Sequence, residues 1–538
     1  MNPKKIRMNK KITYYLKSIK LDRTDRIYHS IILWLNKKLN TIIGSKSYKV
    51  LYRKGLPLYF KPYITSKNIL THNTFNILNR SLSFTSEIPW NYPNNGKDWR
   101  DNLNFFFFLT QDDLTKEKGL MLLYLYNDQY KNIKLENENL VISYRAINWI
   151  KFISKHQLER KTLDRVLYSD YRYLLSILAY NRGGYELLVN GISLLFGAYY
   201  FKAPDLLKEA KIILSRELSE QILSDGAHFQ KSQMFHNLIL SHLLDCYNLM
   251  QNNSVFEDEQ LNNLIQSKIC AMLAFNQNIA YTNGDFASFN ECVQEYIIPN
   301  NELINYAFSL NLKPFDIPLS SSGFRKVKLD KLEAILDIGK MGPDYCLHFA
   351  QASVFSFDLR FNNKTFIINN GTSTFEDKIT RFREKSTSYH NTVSYKNKNQ
   401  AEFFSNFKVA CRPEVTVLQE DKNYFKVSHN GYKRLNAIHQ REFKFYPNGV
   451  LITDEITHLN NHHDLSFANF HFHPDYTDII VEDNIVKIGE WKMEFNGQKD
   501  IRVLDYQHPL SYNKRVLAKK IEICFTNQLT TKIIRLDY

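Results

Sequence analysis

The sequence predicts a multidomain α+β protein, with an N-terminal half of antiparallel helices followed by a C-terminal antiparallel β-sandwich. Two changes along the chain say so. From about residue 120 to 310 apolar residues recur every three or four positions, and after Ser320-Ser321-Ser322-Gly323 the period falls to two. The length of 538 residues gives each half room for its own core.

Taken in order, Leu187, Leu188, Ile192, Leu195 and Tyr199 form one helical stripe. Leu207, Ala210, Leu214, Leu218 and Ile222 form the next, which stops at Asp225-Gly226. Ser232 is placed to cap a third helix carrying Phe235, Leu238, Ile239, Leu243, Cys246 and Leu249. In the second half Phe355, Phe357, Leu359 and Phe361 alternate with polar residues, Asn362-Asn363-Lys364 turns the chain, and Thr365 to Ile368 return it. Phe443 and Phe445 lead to a turn at Pro447-Asn448-Gly449 and a strand from Val450 to Ile452. Leu465, Phe467, Asn469, His471 and His473 share one side of a further strand.

The formal net charge is +15, and residues 1–70 supply all of it, with 17 lysines and arginines against only Asp22 and Asp25. No helix-turn-helix, zinc-finger or RNA-recognition pattern accompanies this excess, so no nucleic acid is expected as a partner. No apolar run there is long enough for a signal peptide or a membrane span; the best, Ile31 to Leu35, is stopped by Lys37 and Lys38. Tyr28, Ile31, Ile32, Leu35, Leu39, Ile42 and Ile43 recur at helical spacing among basic neighbours, which suits either docking on the protein's own core or lying on anionic lipid. The six cysteines lack disulfide or metal spacing, so buried thiols are expected. With 44% hydrophobic and 23% charged residues, disordered and polytopic membrane classes are set aside.

A set of local strings carries a family likeness. Asn79-Arg80, Ile88-Pro89-Trp90-Asn91, Trp99-Arg100-Asp101-Asn102-Leu103, Arg145-Ala146-Ile147-Asn148-Trp149, Asn190-Gly191-Ile192-Ser193-Leu194-Leu195, Asp225-Gly226-Ala227-His228-Phe229, Gly342-Pro343-Asp344-Tyr345, Ser356-Phe357-Asp358-Leu359 and His390-Asn391-Thr392-Val393 follow one another in the order of the heparinase II/III-like family. The chain resembles that family from about residue 75 to 475. The resemblance implies an (α/α) toroid followed by a β-sandwich, with an acidic polysaccharide bound between them. The matching division is a basic segment over 1–70, the toroid over 71–318 and the sandwich over 319–538. It also implies cleavage by β-elimination. That reaction needs a group to neutralise the uronate carboxylate, a base for the C5 proton and an acid for the departing O4.

Set against the family pattern, the sequence is substituted where those groups belong. Gly184-Tyr185-Glu186 stands where the family enters a helix with Asn-His, and Phe235, which cannot move a proton, stands for a Tyr. Phe349-Ala350-Gln351-Ala352-Ser353 replaces a His-Ala-His-Ala-Asp string, and Asn369 replaces an Asp that binds metal in metal-containing members. Neither a metal nor a cofactor is therefore expected. The candidate catalytic residues are Tyr185 as base and acid with Glu186 orienting it, His236, and His390, which keeps a family position. Arg381 and Arg383, on one loop-like segment with His390, suit a carboxylate or sulfate. His348 is the candidate remnant of the lost string, and Trp90 and Trp99 are candidates for stacking on sugar rings. His471 and His473 form a possible metal pair with no third ligand to name.

Two functional readings follow. In one, the protein is a polysaccharide lyase of a bacterial surface-polysaccharide pathway, acting on a uronate-containing chain. In the other, it is a catalytically degenerate glycan-binding or scaffold protein. With no export segment read in the sequence, the expected location is the cytoplasm or the inner membrane face, through peripheral association with anionic lipid.

Overall fold

The computed structural model describes residues 26, 28, 30, 52–129, 138–405, 408–460 and 463–536. The amphipathic stretch read over 28–43 lies, except for residues 28 and 30, outside them. The end of the basic segment packs on the helices. Leu56 N–H donates to Tyr200 O, Leu58 N–H to Ser154 Oγ, and Phe60 stacks on Phe196 at 5.9 Å. A small three-stranded sheet that the sequence reading did not foresee, Leu70–Thr71, Thr74–Ile77 and Arg80–Ser83, comes next.

The helical half then runs through Lys97–Asn104, Lys116–Gln129, Glu138–Lys155, Lys161–Leu174, Gly184–Phe201, Pro204–Gln221, Gln233–Asn252, Glu259–Ile279 and Asn300–Ser309. The three helices read from periodicity are all present. Gly184–Phe201 is buried all round rather than along one stripe, because neighbours close on both sides. A Cβ on Gly191 would lie 2.7 Å from Ile213, so only glycine admits that approach. Ser232 precedes its helix but makes no side-chain cap. Its hydroxyl donates instead to Glu291 O (3.0 Å), towards the domain junction.

The second half is antiparallel throughout. An eight-stranded sheet has the order 415–421, 424–429, 437–446, 449–458, 528–535, 491–496, 485–488, 479–482. Two four-stranded sheets accompany it, one of strands 500–511, 514–525, 466–471 and 393–395, the other of 324–329, 332–337, 357–361 and 364–367. Phe357 meets Phe443 and Phe470, and Phe470 meets Phe495, so the core lies between the sheets. Strand Ser466–His471 is buried on both faces. Phe470 enters the core, while His471 accepts a place beside Asn391 and Tyr389 on the other side.

Buried polar contacts join the halves. Asp225 accepts from Ser320 N–H, Ser322 N–H and the Ser322 hydroxyl at 2.6–3.0 Å, and this set holds its carboxyl below the usual range despite burial. Lys231 pairs with Asp337 at 2.6 Å and donates to Lys340 O. Tyr281 donates to Asp358. Five of the six cysteines are buried and all are unpaired with one another.

Inside the sandwich, hydrogen bonding assigns the tautomers of a buried chain. Gly431 N–H donates to His429 Nδ1 (3.1 Å), so His429 donates from Nε2 to His439 Nδ1 (3.1 Å), and His439 donates from Nε2 to Asp454 (2.7 Å). Arg441 closes the chain with two bonds to Asp454 at 2.7 and 2.9 Å. Donors balance acceptors only with both imidazoles neutral, and burial pushes both pKa values down. Burial does the same to His228, His236, His242, His390, His471 and His508.

The unfolded chain binds protons near pH ~6.5 that the folded chain refuses, so stability is full above that value and falls as pH drops below it. Each such histidine contributes up to ~1.4 kcal/mol per pH unit. The urea unfolding midpoint is therefore expected to fall steeply between pH 7 and 5; a flat midpoint would show that these imidazoles charge inside the fold.

Candidate functional site

The two halves face each other across a cleft of about 1930 Å³. Its toroid wall includes Tyr144, Tyr185, Phe235 and His242; its sandwich wall includes His348, Phe349, Phe375 and Tyr512. Gly183 and Gly184, at φ 62° and 59°, turn the chain so that Tyr185 enters the cleft at the first turn of its helix. Rings then touch in succession across the cleft: Tyr185 to Phe235 at 5.1 Å, Phe235 to Phe349 at 4.6 Å, Phe349 to Phe375 at 6.1 Å, and Phe375 to Tyr512 at 5.7 Å.

Tyr185 shares a hydroxyl–hydroxyl hydrogen bond with Tyr144. Burial raises both phenols well above their ordinary range. Glu186, expected to orient Tyr185, is held by Arg182 at 2.9 and 3.0 Å one turn back; the orienting partner is Tyr144. Nothing short of the structure brings Tyr144 to Tyr185, since 41 residues separate them.

His348 lies in a single 3₁₀ turn, Leu347–Phe349, entered through Cys346 at φ 60°, and not on a strand. Burial, with Arg26, Lys385, Arg381 and Arg182 around it, pushes its imidazole down to about 3, so a neutral ring faces the cleft. Its carbonyl is what anchors it. Arg381 and Lys385 both donate to His348 O, at 2.9 and 2.6 Å, while both bind Glu291 of the helical half.

That arrangement corrects several expectations. Arg381 sits in a helix, Lys378–Glu384, capped by Asp377, and its guanidinium is fully buried on Glu291, so it cannot grip a glycan. Arg383 points from the same helix to the outside and does not line the cleft. His390 is fully buried, with its ring pushed down to about 3 by burial. His236 accepts from His228 N–H and bonds Met272 O, which is a structural role. Trp90 stacks on Phe106 at 5.1 Å and the Trp99 indole donates to Arg80 O; both are core residues with no face for a sugar.

The residues at the family's metal positions do not fit a metal. Gln351 donates its amide to Gly371 O, Asn369 is spent on Ser356 and Ser288 O, and Phe349 offers no donor atom. His471 bonds Asn391 while His473 pairs with Asp475, so these two do not converge. Among the described residues no group of three histidine, cysteine or carboxylate ligands comes together.

The family model described as Heparinase II/III N-terminus matches residues 134–308, and that described as Heparinase II/III-like, C-terminal matches residues 315–532. The chain belongs to the heparinase II/III-like family. Among solved structures it is similar to a heparinase III (15% identity, TM-score 0.65, covering 85% of this chain and 80% of that one). A second similar structure is heparinase III, the BT4657 gene product with methylated lysines (17%, 0.58, 84% and 80%), and a third is heparan sulfate lyase HepC from Pedobacter heparinus (14%, 0.52, 85% and 79%). No curated protein sequence matches. At these identities the likeness establishes the fold.

Arg381→Met leaves Glu291 with one cation instead of two and removes a donor from His348 O. Urea unfolding should show a loss of about 3 kcal/mol, with faster amide exchange over 346–350; an unchanged midpoint would mean that Lys385 alone suffices.

Proposed function

We propose that this protein holds a uronate-bearing polysaccharide in the cleft and does so without the elimination chemistry associated with the lyase fold. One observation carries the proposal: Tyr185, the cleft-floor group best placed to move a proton, is bonded to another phenol, and burial keeps both it and His348 in their neutral forms. The Tyr185 hydroxyl meets another phenol rather than a cation, and its raised pKa makes the phenolate base scarce. His348 is a neutral ring with a pKa near 3, too weak a base for a C5 proton. Phe235 fills the floor with a ring that transfers nothing. Binding does not need those protons. The aromatic row offers faces for sugar rings, and Arg26 and the Glu186-paired Arg182 place positive charge near His348.

The pairing of Tyr185 with Tyr144 favours a second reading, slow elimination with Tyr185 as both base and acid. Its signature would be a rate that climbs with pH as the raised phenol ionises. The proposed setting is synthesis of a bacterial surface polysaccharide at the inner membrane face, with the basic residues of 1–70 on anionic lipid, each well-placed cation adding about 1 kcal/mol.

Incubation with heparan, chondroitin or alginate chains is expected to yield no ultraviolet-absorbing 4,5-unsaturated uronate, since lost acid-base catalysis costs ~10²- to 10⁴-fold. Product that disappears in Tyr185→Phe would establish the second reading. Arg182→Ala should weaken glycan binding about tenfold by calorimetry. Phosphatidylglycerol vesicles should pellet the full chain at low salt and release it at high salt; equal recovery of a form lacking residues 1–50 would exclude the membrane role.

A further inference from the structure

The helix Lys378–Glu384 is inverted, with polar side chains inside and apolar ones outside. Thr380, Arg381 and Glu384 are buried, Arg381 on Glu291 and Glu384 on Thr372 and Ser373. The opposite face presents Lys378, Ile379, Phe382 and Arg383 to the outside, with Ile379 82% and Phe382 42% exposed. Arg381 on its buried carboxylate fixes the rotation of the helix, so the helix cannot turn to hide these side chains. At that exposure Ile379 contributes almost nothing to the protein's own core.

The patch continues onto the neighbouring hairpin. Arg515 donates to Thr380 Oγ1 at 3.0 Å, and Leu517, 59% exposed, follows it on the same side of strand Lys514–Phe525. Positive charge is in surplus here. Arg515 bonds a hydroxyl and Arg383 lies over the Tyr389 ring, so both meet neutral partners and keep their charge. Asp377, which caps the helix through Ile379 and Thr380 N–H, offsets one of the three outward cations. Glu376 is turned to the Asp98 amide, and Asp505 on the hairpin pairs with Lys519 at 2.7 Å.

Cations interleaved with apolar side chains on one face match an anionic bilayer surface, where headgroups meet the cations and the apolar tips enter the interface. A soluble polyanion would leave Ile379 and Phe382 in water. A second copy of the chain would set the same cations against one another across a two-fold axis.

We propose that this face of the sandwich is a docking patch for anionic phospholipid, which holds the Phe375–Glu376 edge of the cleft beside the bilayer. It goes beyond the membrane role proposed for residues 1–70 and is separable from it. The test measures partition of the full chain onto phosphatidylglycerol vesicles at about 0.1 M salt. Ile379→Glu with Phe382→Glu should weaken partition about tenfold, and Ile379→Glu alone, at a position too exposed to disturb folding, about threefold. The control makes the same charge change on the helical half, Ile212→Glu with Phe308→Glu, at residues 50% and 52% exposed, and should cost less than about twofold. Patch variants that partition like the unaltered chain, or fall no further than the control, overturn the proposal and leave the face to a soluble acidic partner. If removal of residues 1–50 abolishes partition while the patch variants do not lower it, the role of the basic segment stands and this inference falls. Equal partition onto phosphatidylcholine vesicles overturns the assignment to anionic lipid.

Discussion

Glu291 lies in the helical half with no solvent exposure, and its carboxylate is shared between Arg381 and Lys385 of the sandwich. Two cations on one buried anion leave a surplus of positive charge, which is absorbed by the His348 carbonyl; burial still pushes Lys385 down to about 8. Such a cluster is expensive to desolvate and adds little net stability, but breaking it strands charge in the interior. It therefore fixes geometry. The turn that carries His348 and Phe349 into the cleft is held by the same contact that joins the two halves, and the aromatic row depends on that turn.

The strings that give the chain its family likeness serve this scaffold more than any chemistry. Arg145 pairs with Asp170 in the toroid core at 2.7 Å. Asn190 accepts from Ala179 N–H and donates to Ser143. Asp225 satisfies the serines at the junction, and Asn391 donates to Phe357 O and Ile368 O. Buried polar groups of this kind cannot be exchanged without leaving a partner unsatisfied, whereas residues facing an open cleft can. That asymmetry explains how the fold persists at identities near 15% while Phe235, Gln351 and Asn369 occupy positions where the family pattern carries proton-transfer or metal-binding groups.

The cleft that results is lined by a row of aromatic rings and by charged residues of both signs. Such a lining suits the sugar chain proposed for it, bound chiefly through ring faces.

Periodicity and turn chemistry by themselves determined the order of helices and strands, because both are local: the stripe from Leu187 to Tyr199 and the alternation from Phe355 to Phe361 need no distant partner to be read. The family strings extended that to the toroid-and-sandwich fold, and Tyr185, Phe235 and His348 were legible as cleft residues from their places in it. Sequence could not show that Arg381 was already spent, that Trp90 and Trp99 had no exposed face, or that Tyr144, 41 residues from Tyr185, was its partner. Arginine or tryptophan reads alike whether it meets a ligand or a buried carboxylate. The tertiary structure alone decides which, because desolvation and pairing depend on neighbours brought in from the other half of the chain.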